Sequence, residues 1–189
     1  NLKMNLFIDT ISKNSTMILF DNDRNIVKQK HFEIKWNESS LLIPNIDNFL
    51  KDNNIEYFDL ENIVLVNGPW SFTWVRTSVL AVNTINYITK KDLTWISYFD
   101  LYRNYPIIKT SSKRDCFVKL SKEDDIKIIN NDEIKQIIKE KNIDIIYWDA
   151  LFDWIQTVEK IDFSAIIKDI NFQKNKKLEA MYIKKPNIC

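Results

Sequence analysis

Short apolar runs separated by polar turns fill the first part of the chain. Asn5 to Thr10 is apolar and ends in Asp-Thr, and Ser15 to Phe20 is a second such run. Runs of this length bounded by turn residues predict buried strands. Asp21-Asn22-Asp23 is turn chemistry, and Ile26 to Ile34 alternates loosely. These predict a third strand that closes an antiparallel meander. The period then changes. From Ser39-Ser40 to Leu50, the residues Leu42, Ile46, Phe49 and Leu50 recur at helical spacing. Pro44 falls in the first turn of that helix, where proline is tolerated. Ile63 to Val66 predicts a fourth strand and Val75 to Ile88 a second helix. A helical crossover makes the fourth strand parallel to its neighbour.

A second unit follows with a similar rhythm. Tyr98 to Pro106 reads as a connector with a short helix. Ile107 to Thr110 and Cys116 to Leu120 read as a hairpin around Ser111-Ser112-Lys113-Arg114. Asp132 to Lys139 is a helix, with Ile134, Ile137 and Ile138 on one side, and Ile143 to Trp148 is a strand. Leu151 to Val158 and Ser164 to Ile170 are read as helical. Lys174 to Lys185 is basic, with Glu179 its only acid. Two related halves in this order predict an α/β actin-like ATPase (ribonuclease-H-like) fold. Residues 4–100 would form the first half and residues 101–189 a smaller, degenerate second half.

The junction between the fourth strand and its helix is distinctive: Val66-Asn67-Gly68-Pro69-Trp70-Ser71-Phe72-Thr73-Trp74-Val75-Arg76. Gly68 is the only glycine of the chain, and it stands with Pro69 where strand must turn into helix. Ser71 or Thr73 is placed to cap the helix. Such a junction also points several N–H groups at one place.

This stretch resembles the Gly-Pro-Gly-Ser-Phe-Thr-Gly-Leu-Arg signature of the TsaB (YeaZ-like) family. Gly68, Pro69, Ser71, Phe72, Thr73 and Arg76 match it, with Val75 for leucine. The resemblance covers most of residues 4 to 101. It implies a non-catalytic partner subunit that holds a TsaD-like enzyme in a productive shape, alongside a TsaE-like ATPase. TsaD transfers threonylcarbamoyl to a tRNA adenosine (t6A modification). The implied interface is Gly68, Pro69, Trp70, Ser71, Phe72, Thr73, Trp74 and Arg76, formed or braced with the small-residue helix face Ser78, Ala81 and Ile85. The other stripe, Val75, Val79, Val82 and Asn86, would cover the sheet. This reading assigns the chain no cofactor of its own, allows ATP and Mg at the level of the complex, and has tRNA met indirectly. A second copy of the chain is an alternative partner.

Trp70 and Trp74 stand where the family has glycine. Trp95, in Leu93-Thr94-Trp95-Ile96-Ser97, and Trp148, before Asp149, do the same. One glycine in 189 residues contrasts with a usual frequency of about 7%. Tryptophan does not take φ > 0 cheaply, whereas glycine does. Some or all of these tryptophans are therefore expected to be UGA codons read as glycine. The alternative is genuine tryptophan in a diverged member.

Composition narrows the remaining chemistry. A net charge of +1 argues against a stand-alone nucleic-acid binder, although Lys174, Lys176, Lys177, Lys184 and Lys185 are candidates for RNA phosphate or an acidic partner. Cys116 and Cys189 make no disulfide framework. No apolar run approaches the roughly 20 residues of a membrane span, and no leader is apparent, so a cytoplasmic protein starting at Met4 is expected. Asp9-Thr10-x-Ser12 follows the first strand, where actin-like kinases orient metal-bound phosphate; a structural turn is the alternative. His31, the lone histidine, lacks the second ligand a metal site needs and is expected to cap or pack near the following helix. Asp21/Asp23 and Glu123-Asp124-Asp125 read as solvated acids. Two rival functions stay open: an ATP-dependent small-molecule kinase of the same fold, and a self-associating structural protein.

Overall fold

The computed structural model describes residues 3–33, 39–148 and 154–183. Its first sheet is built from β1 (Met4–Asp9), β2 (Ser15–Phe20), β3 (Ile26–Phe32), β4 (Leu60–Val66) and β5 (Asp92–Ile96), in the order β3-β2-β1-β4-β5. β2 is antiparallel to β1 and to β3, while β4 is parallel to β1 and β5 to β4. The crossovers are α1 (Leu42–Lys51) and α2 (Phe72–Thr89). β1 is buried at every position, as a central strand covered on both faces must be.

The second sheet repeats the plan with β6 (Ile107–Thr110), β7 (Asp115–Lys119), β8 (Lys127–Asn130), β9 (Ile145–Trp148) and β10 (Gln156–Val158), in the order β10-β9-β6-β7-β8. Its crossover helix is α3 (Asn131–Glu140), capped by the Asn130 side chain, which accepts from the Asp132 amide. The parallel step from β9 to β10 runs over residues 149–155, against residues 67–91 in the first half. The second half is reduced at that step.

Three expectations change. The hydrophobic pattern predicts neither β5 nor β8. β5 opens on a half-buried Asp, and only Ile129 of β8 is buried, so neither makes a recognisable apolar run. The helix expected over Leu151–Val158 gives way to β10, whose Gln156, Thr157 and Val158 pair in parallel with β9; residues 151–153 lie outside the described residues. The chain after residue 160 also returns to the first half. α4 (Phe163–Asp169) sets Phe163 edge-on to Phe7 of β1, with ring centroids 5.7 Å apart. Ile166, Ile167, Ile170 and Leu178 join the same core. Neighbouring side chains on a strand point to opposite faces, so α4 covers the Phe7 face of the sheet.

Residues 173–183 form a strap across the first half. Asn175 bridges Leu93 of β5 with two backbone hydrogen bonds, Leu93 N to Asn175 O at 2.9 Å and the reverse at 3.2 Å. Among the described residues, no helix is long and apolar enough to cross a membrane.

Candidate interface and the junction between the halves

The signature loop is held by the strap. Asn67 donates from Nδ2 to the Glu179 carbonyl at 2.6 Å and accepts from the Met181 amide at 3.2 Å. Gly68 has φ +85°, and a Cβ there would sit 2.9 Å from the Met181 carbonyl oxygen. Glycine is thus required twice, for its backbone and for its missing side chain. Phe72 stacks on Tyr182 at 4.8 Å, and the exposed Arg76 guanidinium lies 5.0 Å from the Phe72 ring centre. Ser71 is the N-cap of α2, yet its side chain makes no capping bond; its carbonyl accepts from Val75 instead. Thr73 is exposed. The expected side-chain cap is absent at Ser71.

Ser78, Ala81 and Ile85 are buried within the chain, as is Trp74. The Ser78 hydroxyl lies 2.6 Å from the Thr10 hydroxyl and donates to the Trp74 carbonyl at 3.0 Å. The second stripe, Val75, Val79, Val82 and Asn86, is buried too. Ser78, Ala81 and Ile85 therefore present no surface and act only by bracing the helix from within. The surface of α2 belongs to Thr73, Arg76, Leu80, Thr84, Tyr87 and Ile88. Leu80, Tyr87 and Ile88 are 68%, 78% and 65% exposed. On the same side of the signature, Phe72, Arg76, Leu80, Asn83, Leu178 and Tyr182 line a groove of about 720 Å³. The sequence hid this face because α2 is apolar on three sides, so periodicity alone could not say which stripe faces out.

The turn after β1 is occupied by its own chain. Asp9 is fully buried, and one of its carboxylate oxygens accepts from the Ile11 and Ser12 amides at 2.9 and 3.0 Å. Burial pushes its carboxyl above the usual aspartate value, while hydrogen bonds from Ser12 and Ile11 and the charge of Lys109 pull the other way. Thr10 is spent on Ser78, and Ser12 is buried. His31 lies on β3, exposed, with Nδ1 2.9 Å from the Thr16 hydroxyl and Nε2 3.2 Å from Gln29. It belongs to a strand edge and not to a helix cap. Asp21 closes a turn by accepting from Asn25, which holds its carboxyl below the ordinary value, and Glu123, Asp124 and Asp125 are exposed. No metal-holding group of His, Cys, Asp and Glu occurs among the described residues. Cys116 is a buried thiol whose sulfur donates to Asn131. Of the strap lysines, Lys176 is paired with Asp92.

Positive φ among the described non-glycine residues is confined to Arg24, Asn54, Lys90 and Asn142. Trp70, Trp74 and Trp95 thus hold backbone that any residue adopts, and the steric ground for expecting glycine there is not met.

No protein-family model matches the sequence, and no protein of curated function matches it. Solved structures do match. The chain is similar to YeaZ from Pseudomonas aeruginosa, with 14% identity and a TM-score of 0.53 over 69% of this chain and 66% of that one. It is similar over nearly its whole length to a structure described as "an uncharacterized protein with similarity to peptidase YEAZ from Pseudomonas aeruginosa". That match has 12% identity and a TM-score of 0.70, over 97% of this chain and all of the other. The fold is the YeaZ-like variant of the actin-like, ribonuclease-H-like architecture.

Proposed function

We propose that this chain is a non-catalytic partner subunit, of the kind the TsaB family supplies, that supports a TsaD-like enzyme in threonylcarbamoyl transfer to tRNA adenosine. The observation that carries the reading is the stripe Leu80, Tyr87 and Ile88, exposed on the helix that follows the Gly68–Arg76 signature. Apolar side chains grouped on one solvent face mark a surface that another protein covers. The partner would be the TsaD-like enzyme in the cytoplasm, with a TsaE-like ATPase acting on the pair and tRNA held by the complex.

The kinase reading is disfavoured by the second half. It needs an acid on β6 to face Asp9, and β6 reads Ile-Ile-Lys-Thr. Pairing with a second copy through the same stripe remains the alternative use of this surface.

Reconstitution tests the proposal. TsaD-like and TsaE-like proteins from the same genome, with ATP and the threonylcarbamoyl donor, are expected to modify tRNA only when this chain is added. Modification that is indifferent to the chain would overturn it. ATP turnover by the isolated chain, abolished by Asp9→Ala, would transfer the case to the kinase reading.

A further inference from the structure

Lys109 is 1% exposed, on a short strand whose other residues are Ile107, Ile108 and Thr110. It leaves β6, in the second half, and its Nζ donates to the Ile11 carbonyl at 2.8 Å. The same Nζ lies 3.9 Å from the Trp70 ring centre and 4.7 Å from that of Tyr98. Its charge is also felt at Asp9. Ile11, Trp70 and Tyr98 belong to the first half, as does Asp9. Asp9 and Ile11 stand at the end of β1, Trp70 in the loop after β4, and Tyr98 in the short helix Tyr98–Leu101 after β5.

These are the carboxyl ends of three adjacent parallel strands. In open α/β sheets that crevice is where ligands bind. A buried ammonium is costly unless oxygen or aromatic faces receive it. Here a carbonyl and two rings are arranged around one side chain that crosses from the other half. We infer that Lys109 is a built-in cation that fills this crevice and latches the two halves together, so that their closure does not depend on a bound nucleotide or metal ion. Trp70 is then part of the latch and not a bulky intrusion into the signature.

Hydrogen exchange with and without Mg·ATP tests this. Wild-type chain is expected to show the same melting temperature and the same exchange with and without Mg·ATP. In Lys109→Met, peptides covering 9–12 and 107–110 should exchange about tenfold faster or more, while α1 stays unchanged. Lys109→Arg should recover part of the protection. If Lys109→Met does not fold, Trp70→Leu, which leaves the charge in place, is expected to open the same two peptides. Unchanged exchange in these variants would overturn the latch. So would Mg·ATP stabilisation of the wild type that disappears in Asp9→Asn, because the crevice would then be a working nucleotide site.

Discussion

Asn83 pairs with the backbone of Leu178 in both directions, donating from Nδ2 to its carbonyl at 2.9 Å and accepting from its amide at 2.8 Å. Asn86 adds a bond to the Lys176 carbonyl at 2.9 Å, and Asn67 holds Glu179 and Met181. Three asparagine side chains thus replace the ladder that a further strand would have given the strap. Asn83→Ala leaves the amide and carbonyl of Leu178 without that partner, a loss of about 1–3 kcal/mol. We expect a lower urea midpoint and faster trypsin cleavage at Lys174, Lys176 and Lys177. Cleavage at the wild-type rate would mean that the strap is held elsewhere.

Gly68→Ala meets two obstacles at once, the φ of +85° and the Met181 carbonyl 2.9 Å from the new Cβ. The expected destabilisation is about 1–3 kcal/mol. Thermal melting should show it. An unchanged melting temperature would mean that the loop and strap part easily.

Asp9 contributes to the pH dependence with the sign opposite to that of most carboxylates. Its folded pKa lies above the unfolded value of 3.8, because burial disfavours the charge. Below 3.8 both states hold the proton and there is no penalty. As pH rises through the folded pKa, the folded chain must ionise a buried group, and stability falls. Asp9→Asn removes this term. Its melting temperature relative to wild type is expected to rise with pH from about 4 and then level off. A relative melting temperature that falls with pH would contradict the assignment.

Most of the first half was legible because its strands are apolar runs between turns and Gly68 marks the one sharp junction. The crossover rule made the fourth strand parallel to its neighbour, as β4 is to β1. What escaped was set by contacts between distant residues. β5 is built on two buried residues, Leu93 and Thr94, and is completed on one edge by Asn175. α4 and the strap belong to the first core although they follow the second half. The exposed stripe on α2 was obscured by a helix with few polar positions. Lys109 carried no local signal, since a lysine in a short strand usually reaches solvent. Ile11, Trp70 and Tyr98, which receive it, come from three separate segments.

Trp74 is buried inside α2. Replacing such a side chain by glycine creates a cavity and weakens the helix, a loss of about 3–5 kcal/mol for the cavity and about 1 kcal/mol for the backbone. We expect the Trp74→Gly chain to melt well below the chain with tryptophan. Tryptic mass spectra of native protein should then show tryptophan at 70 and 74. Glycine at these positions, with a chain at least as stable, would restore the recoding expectation.

Co-elution of this chain with the TsaD-like protein of the same genome, at micromolar concentration by size-exclusion chromatography, tests the partner function most directly. Three forms are needed: wild type, Leu80→Glu on the exposed stripe, and Lys28→Glu on the exposed β3 edge as control. We expect the wild type and Lys28→Glu to elute as a complex and Leu80→Glu to elute alone. A wild-type chain that stays apart from the enzyme, or a Leu80→Glu chain that binds as well as wild type, would contradict the assignment.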